Sequence, residues 1–235
     1  MKIFNFIVLI IGAGLSACSF HFTTHSTQTN INPSIQNSIE MDSLISPYRR
    51  ELSKEFNIEI GQTKFDLLTS RTSMTLGFWV CDRLRENALT QTAYKQEPVI
   101  SILNYGGFRS DIAAGKITIG DIYKSMPFDN KISYLKIKTS KLNEIIPYMQ
   151  VKGGEPMSGI SIQKGKLLFI DSKIEGSNFV WVVTSDFIAN GGDKMNFLLE
   201  PIERIDTDIL LRDFMIESVK KEQIISSNEK ERITW

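Results

Sequence analysis

Residues 104–130 read NYGGFRSDIAAGKITIGDIYKSMPFDN, and this run packs three kinds of recognition chemistry into one turn-rich stretch. Asn104 places an amide at the end of the apolar, strand-like segment Pro98-Val-Ile-Ser-Ile-Leu103. Gly106 and Gly107 open backbone conformations closed to other residues and let a ligand come close. Arg109 presents a planar fork of donors suited to a phosphate or carboxylate. Pro127 stiffens the approach to a turn that displays Phe128 beside Asp129 and Asn130. The layout is that of a binding loop.

A second block, Thr184-Ser-Asp-Phe-Ile-Ala-Asn-Gly-Gly-Asp193, follows downstream. Together the two blocks, NYGGFR-x5-G-x-IT-x-GD-x5-PFDN and then TSDFIANGGD, resemble the signature of the 5′-nucleotidase C-terminal domain, and Ile45-Ser-Pro-Tyr48 and Ile60-Gly61 also stand in family-like places. The resemblance runs from about residue 40 to the C-terminus. It implies a single domain with a mixed sheet covered by helices. It also implies that Phe128 and Phe187 sandwich a nucleobase, a stack worth about 1–3 kcal/mol per base in single-strand binding proteins. By the same resemblance Asp193 accepts hydrogen bonds from ribose hydroxyls, Arg109 binds phosphate, Asn104 lies near the base and Asn130 holds the Phe128 loop. Each residue also has a plainer reading: core phenylalanines, an Asx turn at Asp193, an asparagine that satisfies loop backbone, and a surface ion pair at Arg109 worth under about 1 kcal/mol. Three substitutions depart from the family pattern. Tyr105 and Phe108 replace small or aliphatic residues, which narrows the pocket or adds a stacking surface, and Lys194 stands where glycine is usual. Further phosphate-binding arginines have no clean counterpart before Ser73-Met-Thr-Leu-Gly77, and Arg71 fits only with a shift.

The complete nucleotidases that this sequence resembles carry an N-terminal metallophosphoesterase domain whose His, Asp and Asn side chains hold two metals and activate water. From residue 40 onward this chain contains no histidine. The expectation is therefore a chain with no catalytic residue, no metal ligand and no cofactor of its own. It is the nucleotide-recognising half of a split 5′-nucleotidase, with divalent metals supplied by a separate metallophosphoesterase partner. The alternative is a non-catalytic nucleotide- or nucleoside-binding lipoprotein; a bland third reading keeps the scaffold with a decayed pocket.

Length and composition set the frame. The chain has 235 residues, 42% of them hydrophobic and 23% charged, which is ordinary for a globular protein with a packed core. Lys plus Arg equals Asp plus Glu at 27 each, so there is no basic excess for a nucleic-acid surface and anion binding must be local. Residues 1–17 read as a lipoprotein signal peptide: Lys2 precedes the apolar run Ile3-Phe-Asn-Phe-Ile-Val-Leu-Ile-Ile11, and Leu15-Ser-Ala-Cys18 resembles a bacterial lipobox that leaves Cys18 as a lipidated N-terminus. A plain signal peptide is the competing reading. Acyl chains at Cys18 bury methylenes at about 0.8 kcal/mol each, which places an exported bacterial lipoprotein at a membrane, on its periplasmic side or at the cell surface. Residues 18–39, rich in Ser, Thr, Gln and Asn, form a flexible tether. It carries His21 and His25, whose i, i+4 spacing suits a metal only on a helix that this composition does not favour. Cys81 is then the remaining cysteine, expected as a buried thiol beside a helical stripe.

The elements that position these residues read as a mixed α/β scaffold. Met41, Ile45, Tyr48, Leu52 and Phe56 mark one helix face, with Ser46-Pro47 as either cap or kink. A helix is expected over 73–89, a strand over 98–103, a short helix over 118–125 and a strand over 131–138. Residues 141–149 form an amphipathic helix burying Leu142, Ile145, Ile146 and Met149. Two strands, 160–163 and 166–170, are joined through Lys164-Gly165. The continuous apolar run Phe179-Val-Trp-Val-Val183 predicts a central strand covered on both faces. A helix over 208–221, with Leu211, Phe214 and Ser218 along one side, and a final strand over 232–235 complete the chain.

Overall fold

The computed structural model describes residues 38–226 and 232–235. The signal peptide, Cys18, His21, His25 and nearly all of the tether lie outside the described residues. Two compact units divide the chain, Met1–Ser46 and Pro47–Trp235; of the first, residues 38–46 are described. They form the start of helix α1 (Ile39–Phe56), where Ser38 Oγ accepts from Met41 N at 3.3 Å. Pro47 lies inside this helix, so Ser46 is not its cap. The apolar period from Met41 to Phe56 is real, but α1 contains no buried residue, and Met41, Ile45, Tyr48 and Leu52 are exposed. At the C-terminal end the Phe56 and Tyr123 ring centroids are 4.8 Å apart. Periodicity records a stripe without saying whether anything covers it.

Strand β1 (Glu59–Thr63) is followed by α2 (Thr75–Thr90), β2 (Val99–Ile102), β3 (Gly115–Thr118), α3 (Ile119–Ser125) and β4 (Lys131–Lys138). Then come α4 (Ile145–Lys152), β5 (Met157–Ser158), β6 (Ile160–Gln163), β7 (Lys166–Phe169), β8 (Phe179–Ser185) and α5 (Asp186–Ala189). The last elements are β9 (Glu203–Leu210), α6 (Leu211–Glu222) and β10 (Ile224–Ile225). Helix α3 starts where Thr118 and Asp121 close a reciprocal capping box, which satisfies two donors that a helix start leaves open.

The expected central strand is β8, the middle of a five-stranded mixed sheet ordered β5-β2-β8-β4-β9. It runs parallel to β2 (Val99↔Trp181, Ser101↔Val183) and antiparallel to β4 (Ile132↔Ser185 through Lys138↔Phe179). Because successive strand residues point to opposite faces, these strands feed two cores. Val99, Ile132, Tyr134, Trp181 and Val183 join α2, α3 and α6 on one side. Ile100, Ile102, Leu135, Ile137, Val180 and Val182 join Ile145 and Met149 of α4 with Phe197 and Leu198 on the other. A three-stranded sheet β10-β1-β3 and the hairpin β6-β7 complete the β structure. The hairpin turns on Lys164 (φ 50°) and Gly165 (φ 70°), the paired left-handed conformations of a type I′ turn.

The sequence reading misplaces the chain's end. Residues 203–210 form an edge strand on β4, where a helix was expected to have begun at residue 208; the helix starts at Leu211. Ile205, Thr207 and Ile209 are β-branched and fit a pleated surface, but an edge strand with mostly exposed side chains carries little hydrophobic pattern. The helix buries Leu211, Met215 and Val219 with Arg212 and Ile216, while Phe214 and Ser218 are half-buried. Residues 232–234 return as a single parallel bridge, Ile162↔Ile233, with Ile162 N donating to Arg232 O and Thr234 N to Ile162 O at 2.8 Å each. Ile146 is only partly buried.

Candidate functional site

Strand polarity alone gathers three of the expected residues. Phe128 lies just before β4 and Phe187 just after β8, and these strands are antiparallel with Ile132 opposite Ser185, so both aromatics emerge at one end of the sheet. Strand β2 runs parallel to β8, so its C-terminal end delivers Asn104 to the same place. Ligands of open α/β sheets gather outside such strand ends.

Asn104 is 7% exposed, and its Nδ2 donates to Asp193 Oδ2 at 2.5 Å, joining the two sequence blocks. A Cβ at Gly107 would sit 3.1 Å from Asn104 Oδ1, so the glycine makes room for the amide. Asp193 has φ 53°, a left-handed conformation uncommon outside glycine. It is held there by Tyr148, whose hydroxyl donates to Asp193 O at 3.2 Å, and by Lys152 Nζ, 3.8 Å from Oδ1. The carboxylate thus reaches across to Asn104 and Lys152.

Phe187 is 43% exposed and lies against Gly192, where a Cβ would come within 2.4 Å of the ring. Asp186 Oδ1 accepts from Phe187 N at 2.8 Å and from Lys131 N at 3.1 Å, which ties the Phe187 turn to the chain leaving Phe128. Phe128 is 39% exposed, with the Arg109 guanidinium 5.9 Å from its ring centroid. Phe78, Phe108 and Phe197 are buried, so these two rings stand apart from the core phenylalanines. Arg109 is exposed and makes no ion pair among the described residues; its backbone N donates to Ser125 O at 2.8 Å. Asn130 contributes through its backbone, accepting from Leu211 N at 2.8 Å.

Several residues around these six escape a sequence reading. Arg212 is buried on α6 and donates to Asp129 Oδ1 at 2.6 Å and to Phe128 O at 3.4 Å, while its guanidinium lies 4.3 Å from the Tyr123 ring centroid. It therefore braces the Phe128 turn from a helix more than eighty residues away. Glu155 is 1% exposed; its Oε2 accepts from Tyr105 N, and Arg71 Nη2 stands 3.7 Å from Oε1. Arg71 lies over the Tyr105 ring at 4.3 Å and donates to Gly154 O at 2.5 Å. Gly153-Gly154, which lead into Glu155, both have positive φ, at 81° and 102°. Of the departures from the family pattern, Phe108 is buried in the core instead of lining a pocket, Tyr105 is half-buried beneath Arg71, and Lys194 takes the left-handed conformation (φ 65°) open to a glycine.

Burial raises the Glu155 pKa above the ordinary carboxyl value, opposed by the Tyr105 N–H and by Arg71 and reinforced by the Asp193 charge. Burial likewise pushes Tyr148 up, with Glu155 and Asp193 adding to the shift. Cys81 is fully buried and its pKa is pushed up to about 12, chiefly by desolvation, which leaves an inert thiol. Concavities of about 460 Å³ (beside Lys138, Thr139 and Phe179) and about 420 Å³ (beside Arg83, Phe214 and Glu222) are not lined by any of the six expected residues. The candidate site is a convergence of polar groups with exposed aromatics and not one of these cavities. Among the described residues no group of three or more His, Cys, Asp or Glu side chains is placed to hold a metal ion. No described helix is long and apolar enough to cross a membrane.

A mixed α/β fold with these motifs at one end of its central sheet defines the class. Residues 59–165 match the family model described as the 5′-nucleotidase, C-terminal domain, which bears out the resemblance. The matched segment contains Asn104, Arg109, Phe128 and Asn130. The chain is 27% identical over 174 residues to protein UshA of Escherichia coli (strain K12), and 27% identical over 180 residues to an apyrase of Aedes albopictus. Those alignments cover 68% and 72% of this chain and 30% of each relative, so the chain spans about a third of the length of the curated relatives it matches. Among solved structures, the 5′-nucleotidase precursor from Thermus thermophilus superposes with a TM-score of 0.66 at 21% identity, covering 82% of this chain and 42% of that one. At that identity the likeness shows the fold.

Proposed function

We propose that this chain is the nucleotide-recognising part of a split 5′-nucleotidase, holding a nucleotide at the Phe128–Phe187 end of the sheet while a separate metallophosphoesterase supplies metals and hydrolysis. The observation that carries this reading is the convergence of two half-exposed phenylalanines, the exposed Arg109 and the Asn104–Asp193 pair on one sheet end. Phe128 and Phe187 stack the base, Arg109 takes the phosphate, Asp193 accepts from the ribose hydroxyls and Asn104 faces the base edge. Asn130 and Arg212 hold the Phe128 turn.

Calorimetric titration of the purified chain with nucleosides and nucleoside monophosphates tests the site directly. Binding of both classes, tighter for monophosphates at low salt, is expected. The same preparation is expected to release no phosphate from nucleoside monophosphates with Zn²⁺, Mn²⁺ or Mg²⁺ present; turnover that follows the pure chain through chromatography ends the split-enzyme reading. Co-purification of a histidine-rich phosphoesterase supports that reading over a purely nucleotide-binding lipoprotein.

The anchor belongs to the same proposal, as lipidation of Cys18 holds the protein at a membrane of an exporting bacterium. Cys18→Ala is expected to abolish the lipid-modified N-terminal mass and to release the protein from the detergent phase. An unchanged mass and partition in that variant rule the anchor out.

A further inference from the structure

Beyond the six residues assigned to the ligand, one buried side chain links the loops that carry them. Glu155 leaves a Gly-Gly turn whose glycines have φ 81° and 102°, conformations that β-carbon-bearing residues resist. Its two carboxylate oxygens are divided: Oε2 takes the backbone N–H of Tyr105, the residue next to Asn104, and Oε1 faces Arg71, whose guanidinium covers the Tyr105 ring. The Tyr148 hydroxyl donates to the backbone of Asp193, and the Asp193 charge acts on Glu155 in turn. Two stretches of chain, the loop before α2 and the turn after β2, thus meet at one carboxylate, while helix α4 holds the Gly-Gly-Asp turn through Tyr148.

We propose that Glu155 is a positioning residue of the ligand site, one that fixes the Asn104–Asp193 pair in its binding geometry by holding the Tyr105 N–H and Arg71 at a single buried carboxylate. The inference rests on the nucleotide-site reading for its ligand but not for its geometry. A carboxylate out of water without a full ion pair is costly to keep. Arg71 stands 3.7 Å away and its side chain is about one-third exposed, which is a loose compensation.

The groups facing Glu155 are Arg71, Lys152, Asp193 and Tyr148, together with the Tyr105 amide. Its folded pKa lies above the ordinary carboxyl value of 4.5. The folded protein therefore binds the proton more tightly than the unfolded chain does, and this contribution to stability is complete below that value and lost as pH rises through the folded pKa. At neutral pH the ionised carboxylate costs stability. Glu155→Gln, which keeps the shape and removes the charge, should melt no lower than wild type at pH 7.5, yet bind adenosine and AMP about tenfold more weakly, because the charge-assisted bonds that hold the loop are gone.

The test pairs calorimetry with amide NMR on the full chain. In wild type the Tyr105 amide shift should titrate with Glu155, and the Asn104 side-chain NH₂ should show one proton displaced by its bond to Asp193. In Glu155→Gln the Tyr105 titration should vanish and the displaced Asn104 signal should average away. An Asn104 signal that is unchanged in the variant overturns the positioning role whether or not a nucleoside binds. A variant that melts well below wild type with wild-type affinity also overturns it, as the signature of a merely structural residue. If the NMR coupling appears as expected but wild type binds neither adenosine nor AMP, the nucleotide reading falls and the positioning geometry stands.

Discussion

Phe128→Ala and Phe187→Ala should each weaken nucleotide binding by about 1–3 kcal/mol, or roughly 5- to 150-fold, for purines and pyrimidines alike. Both rings are more than a third exposed at the same sheet end, and each is held from behind: Phe128 through Arg212 and Asp129, Phe187 through Gly192 and Asp186. Stacking is indifferent to base identity because every base offers a π-face, so the loss should be uniform across a ligand panel. Arg109→Ala should behave differently, weakening monophosphates more than nucleosides and flattening the salt dependence, since the lost contact is to phosphate. Asp193→Asn should reduce the advantage of ribosides over analogues lacking the sugar hydroxyls. Because both aromatic side chains are exposed, their truncation leaves the core intact, and circular dichroism should report a wild-type fold. Folded variants with wild-type affinity would show that the rings are scaffold.

Arg232→Ala should cost about 3–5 kcal/mol of stability, the range found when one partner of a buried ion pair is removed. Arg232 grips Asp82 with two parallel bonds, Nη1 to Oδ1 at 2.8 Å and Nη2 to Oδ2 at 2.6 Å, and Nη1 also donates to Met157 O at 2.7 Å. Ser158 Oγ donates to Asp82 Oδ1 at 2.6 Å, and the guanidinium lies 5.1 Å from the Phe78 ring centroid. The pair therefore locks the returning C-terminal segment to α2 and to edge strand β5. Truncation leaves the Asp82 carboxylate poorly hydrated and without its main counter-ion. For a domain of this size the melting temperature should fall by roughly 6–20 °C. Asp82→Ala together with Arg232→Ala should recover part of that loss, because the double variant leaves no stranded charge. A single variant that melts within about 1 °C of wild type would deprive this interlock of energetic weight.

What the sequence determined by itself was local or carried in the motifs. The continuous apolar run at 179–183 pointed to the central strand, where Val180 to Val183 are buried and Phe179, at the strand's start, is exposed. The strand at 131–138, the Lys164-Gly165 turn and the short helix from Thr118 were expected and are present, and the structure adds the reciprocal Thr118–Asp121 cap, a device carried by neighbouring residues. The first glycine-rich block was legible as a family motif, and the family match over residues 59–165 contains it. Tertiary structure decided the rest. Strand β9 was invisible because an edge strand with exposed side chains carries no strong apolar period, and the buried face of α6 was set by which side of the helix met the sheet. The exposed stripe of α1 shows the same limit from the other direction, for a pattern of apolar residues names a face and not its partner. Arg212, Arg232 and Glu155 act across separations of about 50 to 150 residues. No local pattern encodes such pairings, because they exist only once the fold has brought segments distant in sequence together.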